Sequence, residues 1–219
     1  MTNKKGFLIT IEGCEGSGKS TQAKLLKQYL ESKKLKVVLT REPGGSKTAE
    51  QIRNILLSPQ STISPICELM LYESARSQHF QEIIKPNLNK GYIVICDRFT
   101  DSTIAYQGYG RNLDIKMIEK LNSIATEQKK PDLTVYLDIN PVLGIKKAKI
   151  TQGKDFKNGD RIERESLKFH SNVRKGFLEL AKKYSNRIKK VKTSSVISKT
   201  QSLINKEIDK FFIKKRLYV

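Results

Sequence analysis

Short apolar, β-branched runs alternate along this chain with longer segments in which apolar residues recur at helical spacing. Phe7-Leu8-Ile9-Thr10-Ile11, Lys36-Val37-Val38-Leu39-Thr40, Tyr92-Ile93-Val94-Ile95-Cys96 and Leu133-Thr134-Val135-Tyr136-Leu137 read as four strands, and Arg187 to Lys192 reads as a weaker fifth. Strands that are apolar throughout suit a parallel sheet covered on both faces. Between them, residues 19–33, 47–57, 66–90, 114–128, 141–150, 163–184 and 198–215 read as helices. In the first of these Ala23, Leu26 and Leu30 keep near-helical spacing, and Asp114 and Ser198 are placed to cap later helices. The alternation predicts an α/β fold of three layers, with a five-stranded parallel sheet flanked by helices in a single domain spanning residues 1–219. Ligands then gather at the carboxyl ends of the strands. Residues 151–160 are polar and glycine-containing and break the pattern, which marks a short lid at about residues 147–162.

Composition narrows the function classes. A hydrophobic content of 37% supplies a core, and no stretch approaches the run of about 20 apolar residues that a membrane span needs. Met1 to Lys5 runs straight into a strand without the apolar region of a secretion signal, so a cytoplasmic protein is expected. Cys14, Cys67 and Cys96 are odd in number and widely spaced, which argues against a disulfide framework or a zinc site. Cys14 either has its acidity raised by a helix N-terminus or is a small tolerated filler, and the filler reading is favoured. The formal charge of +20 admits three readings: a nucleic-acid surface, attraction of polyanionic nucleotides, or lysine filling exposed positions. The lysines greatly outnumber the arginines and scatter from Lys4 to Lys215, which favours the compositional reading over specific nucleic-acid binding.

One local motif carries chemistry directly. Gly13-Cys14-Glu15-Gly16-Ser17-Gly18-Lys19-Ser20, followed by Thr21, is a complete phosphate-binding loop set between a strand and a helix. Its glycines let backbone N–H groups turn inward on phosphate oxygens, and the helix N-terminus adds partial positive charge. Lys19 can reach the β- and γ-phosphates of ATP, and the Ser20 hydroxyl can help to hold Mg²⁺. A second constellation sits at the carboxyl ends of the next strands: Thr40-Arg41-Glu42-Pro43-Gly44-Gly45, and Asp97-Arg98-Phe99 running through to Tyr109. Arg41 and Arg98 could each grip a second phosphate in bidentate fashion, and Asp97 could hold Mg²⁺ through water.

Taken with Ala105-Tyr106-Gln107, Pro131 to Asp138 and Asp160-Arg161-Ile162-Glu163, these segments resemble bacterial thymidylate kinases over nearly the whole chain. The resemblance implies phosphoryl transfer from ATP to dTMP, with Mg²⁺ as cofactor, in a protein that is typically a homodimer. It implies that Glu15 accepts a hydrogen bond from the acceptor's 3′-hydroxyl and that Arg41 and Arg98 hold the dTMP phosphate, with Arg53 and Pro43 on the same side. It further implies that Tyr72 stacks on thymine, Arg76 bonds a thymine carbonyl, Thr103 and Gln107 read the base edge, and Tyr106 crowds a 2′-hydroxyl. Members of the family carry the catalytic basic residue either in the phosphate loop or in the lid. Here the loop has Glu15-Gly16 and no arginine, so Arg161 is expected to supply the main lid charge, assisted by Lys147, Lys149, Lys154 and Lys157. Alternatively Arg161 pairs with Asp160 or Glu163. In similar enzymes adenine lies near the loop after the last strand, here Thr193 to Val196, which is not diagnostic. His79 and His170 carry no arrangement suggesting catalysis. A kinase for another pyrimidine monophosphate, or a nucleic-acid-binding phosphate-loop protein, remain the competing readings.

Overall fold

The computed structural model describes residues 6–152 and 159–215. Five strands, β1 (Phe7–Gly13), β2 (Val37–Arg41), β3 (Ile93–Asp97), β4 (Leu133–Asp138) and β5 (Ile188–Lys192), form one sheet in the order β2-β3-β1-β4-β5. Every pairing is parallel, and the register sets Ile11 beside Asp97 and Gly13 beside Leu137. The central position of β1 follows from its composition, since it is the most fully buried strand along with β3 and β4. β5 lies at the sheet edge with alternating burial, which is why its sequence signal is weak.

Helices cover both faces. Ile9 and Ile11 point with Ile95, Val135 and Leu137 into a core closed by Leu26 and Leu30 of α1 (Lys19–Ser32) and by Ile204, Ile208 and Phe212 of α9 (Ile197–Lys214). On the opposite face Tyr136 packs with Ile118 of α6 (Ile115–Ala125) and with Phe169, Val173 and Phe177 of α8 (Leu167–Lys183). A third cluster, Leu8, Val94, Cys96 and Phe99, lies against Phe80 and Ile84. The remaining helices are α2 (Lys47–Leu57), α3 (Pro65–His79), α4 (Lys85–Asn89), α5 (Thr100–Thr103) and α7 (Pro141–Gln152).

Several expectations change in detail. The helix expected over 66–90 is α3, a π-helical turn at Phe80–Ile84 and α4; the widening falls just ahead of Pro86, which has no N–H to give to the ladder. The helix expected from residue 163 begins at Leu167, because Asp160 Oδ1 takes the backbone N–H groups of Ile162 (3.0 Å) and Glu163 (2.8 Å) into a turn. Asp114 caps α6 as expected by accepting from Met117 N, whereas Ser198 lies inside α9, whose flanking residue is Val196. Residues 100–110, left without an element by the hydrophobic pattern, are helical: α5 runs into a π-helical stretch, Ile104–Gly110. The lid expected at 147–162 begins as the end of α7, and its residues 153–158, with Lys154 and Lys157, lie outside the described residues.

Candidate active site

The carboxyl ends of β1, β2 and β3 deliver the chemistry to one edge of the sheet. β1 ends at Gly13, and the phosphate loop turns into α1 with Gly16 and Gly18 at φ of 67° and 88°, in the left-handed region open to glycine. A Cβ on Gly16 would lie 1.9 Å from the Gly144 carbonyl oxygen, so the loop tip rests on the backbone of α7. Lys19 lies at the first turn of α1 and is the only buried lysine among the described residues. Its Nζ donates to the Cys14 carbonyl at 2.9 Å, and burial together with the neighbouring Arg98 charge lowers its pKa. Ser20 Oγ donates to Asp97 Oδ2 at 2.5 Å, while buried Asp97 Oδ1 finds no hydrogen-bond partner among the described residues. A hydroxyl beside a carboxylate with a spare oxygen is a hard oxygen donor set that fits Mg²⁺. Thr21 is exposed on α1, and Ser17 N donates to the Cys14 carbonyl at 3.3 Å. The Cys14 thiol is pushed up to about 12 by burial, so it is an inert filler and not an activated thiol.

Beside the loop opens a cleft with room for about 100 Å³ of solvent. Of the expected acceptor-side residues, Glu15, Pro43, Arg53, Tyr72, Arg76, Arg98, Thr103, Tyr106 and Gln107 all line it. Arg98, at φ 70°, is held in place by its neighbours: Phe99 N donates to Glu12 Oε1 at 2.7 Å and Ser102 Oγ to Glu12 Oε2 at 2.6 Å. Its guanidinium meets Glu15 at 2.5 Å and lies over the Tyr106 ring, whose hydroxyl also donates to Glu15 at 3.0 Å. Burial opposes ionisation of Glu15, but the Arg98 and Lys19 charges outweigh it and hold the carboxyl at about 2. Arg53 donates to the Pro43 carbonyl at 2.7 Å, after a cis Glu42–Pro43 peptide. Deeper in, Arg76 is pinned by Glu42 (2.8 Å), Glu73 (2.8 Å) and Asn122 (2.9 Å), and the buried Thr103 hydroxyl finds no hydrogen-bond partner among the described residues.

Two expected residues sit elsewhere. Arg41 does not line the cleft; it is exposed and forms an ion pair with Glu50 at 2.9 Å, because Glu50 is itself fixed by accepting from Gly45 N at 2.9 Å. Arg161 does not line the cleft, and among the described residues it pairs with neither Asp160 nor Glu163. Its Nε donates to the Leu56 carbonyl at 2.9 Å and its Nη1 to Glu68 at 2.6 Å, tying the segment after the lid to α2 and α3. A buried carboxylate with room for two guanidinium groups draws it there. Lys147 and Lys149 belong to α7.

The chain's relatives decide the family. The family model for thymidylate kinase matches residues 11–204. The chain belongs to the thymidylate kinase family. It is 48% identical over 204 residues to the thymidylate kinase of Citrifermentans bemidjiense, covering 91% of this chain and 89% of that one. It is 44% identical over 205 residues to that of Gloeobacter violaceus, covering 94% and 95%. A crystal structure of thymidylate kinase from Ehrlichia chaffeensis superposes with a TM-score of 0.76 at 35% identity, over 94% of this chain and 99% of that one.

The thymidylate kinase fold also brings in residues that sequence reasoning did not single out. Glu42, Ser102 and Asp160 line the cleft, and Glu12 and Glu68 lie buried behind it. Burial, with the charges of Glu15 and Glu163, pushes the Asp160 carboxyl up to about 6. His79 is buried with Nε2 on Thr40 Oγ1 (2.7 Å) and Nδ1 on Glu42 (3.0 Å), a support for the Arg76 partner. Glu42 and Asp160 both lie inside quoted motifs, which was a signal available from the sequence; Glu12 and Glu68 stand in otherwise apolar surroundings, where an acid is itself the signal.

Proposed function

We propose that this chain is a thymidylate kinase that transfers the γ-phosphoryl group of ATP to dTMP, giving dTDP for dTTP synthesis. The observation that carries this reading is Glu15: it belongs to the phosphate loop and also lines the cleft with Arg98, Tyr106 and Arg76, so one loop touches both substrates. Lys19 and the loop amides hold the donor phosphates. Arg98 carries the charge of the acceptor phosphate and exchanges its internal partner Glu15 for it, while Glu15 is freed to accept from the sugar hydroxyl. Tyr72 and Arg76 receive the base. An anionic oxygen of the dTMP phosphate attacks the γ-phosphorus, the bond to the β-bridging oxygen breaks, and ADP leaves. The nucleophile is already ionised, so no side chain need remove a proton. Ser20 and Asp97 would hold Mg²⁺, which supplies charge neutralisation on the phosphates.

A homodimer is part of the proposal. Ile55 of α2, Ile66 and Met70 of α3, and Met117 and Ile124 of α6 are exposed on three neighbouring helices, an apolar set suited to a second copy of the chain. A cytoplasmic setting agrees with three unpaired cysteines and with the finding that no helix of the described residues is long and apolar enough to cross a membrane. The deciding experiment is a coupled assay across dTMP, dUMP, dCMP and UMP with ATP and Mg²⁺. The highest kcat/KM is expected for dTMP; a preference for dCMP overturns the reading.

A further inference from the structure

We propose that Glu68 is a positioning residue that sets the base selectivity of the cleft by fixing which end of the Gln107 amide faces the nucleobase. The inference rests on the reading of the cleft as a pyrimidine monophosphate site. Glu68 stands on α3 and is fully buried, and Gln107, on the π-helical stretch, is 1% exposed. Glu68 Oε1 accepts from Gln107 Nε2 at 2.7 Å and from Arg111 Nε at 3.1 Å. Its Oε2 accepts from Arg111 Nη2 at 3.0 Å and from Arg161 Nη1 at 2.6 Å. Burial opposes the charge on Glu68, but the hydrogen bonds from Arg111 and Gln107 and the Arg111 charge outweigh it and hold the carboxyl below its ordinary range.

An ionised carboxylate can only accept, so the group that Gln107 turns toward Glu68 must be its NH₂. The amide carbonyl is then the end left for the cleft that Gln107 lines. Arg76 lines the same cleft, and its Nε and Nη1 are taken by Glu42, Glu73 and Asn122, so Nη2 is the donor outside those bonds. A guanidinium donor near an amide acceptor complements a base edge with a carbonyl beside an N–H, as in thymine and uracil. Cytosine presents the reverse, an amine beside a bare ring nitrogen, and would leave both protein groups facing like partners. Such buried polar mismatches discriminate far more strongly than shape. Glu68 itself does not line the cleft, so it acts only through the amide it holds.

The test is Glu68→Gln. The carboxamide oxygen keeps the two donors of Oε2, Arg111 Nη2 and Arg161 Nη1, while its NH₂ takes the place of Oε1, gives up the Arg111 Nε bond and faces Gln107, whose amide turns over to present NH₂ to the base. The kcat/KM ratio of dTMP over dCMP is expected to fall about 100-fold or more. The ratio of dTMP over dUMP, whose edges carry the same carbonyl and N–H, stays unchanged. Glu68→Gln combined with Gln107→Glu restores an acceptor toward the base and is expected to recover the dTMP over dCMP ratio. If Glu68→Gln alone does not fold, the double variant is read against the wild type, and a dTMP over dCMP ratio that falls despite the acceptor restored toward the base overturns the proposal. Equal losses on all three substrates, or an unchanged dTMP over dCMP ratio, overturn the proposal and leave Glu68 a mere anchor. A wild-type enzyme inactive on dTMP overturns the functional reading and this inference with it, so the two failures are told apart by the wild type.

Discussion

Replacing Glu12 by Gln should abolish a pH dependence that the fold builds into its own stability. Glu12 is the last side chain of β1 before the phosphate loop, is fully buried, and holds Phe99 N at 2.7 Å and Ser102 Oγ at 2.6 Å. Burial, with the nearby Asp101 carboxylate adding to it, raises its pKa from the ordinary 4.5 to about 8. The native state therefore keeps the Glu12 proton through a range in which the unfolded chain has released it. Because the unfolded state binds fewer protons there, stability falls as pH rises from about 4.5 to about 8. The slope is roughly a tenfold change in the folding constant per pH unit, and the whole window is worth about 5 kcal/mol. That is a large part of a typical domain stability of about 5–15 kcal/mol. A glutamine reproduces the protonated acid: its oxygen accepts from Phe99 N, and its NH₂, like the acid O–H, donates to Ser102 Oγ, whose hydroxyl turns from the donor it is toward the ionised carboxylate into an acceptor. Urea unfolding of both proteins at pH 5, 6, 7 and 8 should give matching stabilities at the low end and a growing advantage for Glu12→Gln above it. Asp160, whose carboxyl is also raised, titrates in both proteins and cancels in the difference. Parallel curves, or a wild type that gains on the variant with pH, would refute the argument.

Arg161→Ala should lower stability by about 2 kcal/mol, since it removes a charged hydrogen bond to buried Glu68 while Arg111 remains. A lower urea midpoint at an unchanged m-value checks it; a fall in turnover with stability intact would instead show that Arg161 leaves Glu68 to act on the phosphates. Met70→Glu places a charge amid the exposed apolar side chains of α2, α3 and α6 and should shift a dimer toward monomer in sedimentation velocity, whereas an unchanged sedimentation coefficient would remove that face from the dimer proposal.

Much of this fold could be read from the chain because its local signals agree. The β1 run, the glycines and α1 point to a strand, a turn and a helix in succession, and the structure has them at Phe7–Gly13 and Lys19–Ser32. Helix α2 occupies the expected residues 47–57. The stretch 100–110 escaped because Gly108 and Gly110 weaken any helical reading and because its buried face is filled by Thr103, Tyr106 and Gln107, residues chosen for the cleft. Motif did bring together nine residues that line one cleft in the structure. Arg41 and Arg161 are not among them, because an arginine's destination depends on which carboxylate captures it, and Glu50 and Glu68 are supplied by other helices. Spacing along the chain holds no record of such tertiary competition.

Two cations of the cleft are paired with carboxylates inside the protein, Arg98 with Glu15 and Arg76 with Glu42 and Glu73, and Arg53 donates to the Pro43 carbonyl. The large formal charge of +20 lies outside this set, on lysines of which only Lys19 is buried among the described residues. Solvent and salt screen those outer charges over about 10 Å, whereas the inner pairs answer to each other at contact. A change at one outer lysine therefore reaches the cleft only weakly, whereas a change at Arg98 or Glu15 removes a partner at contact.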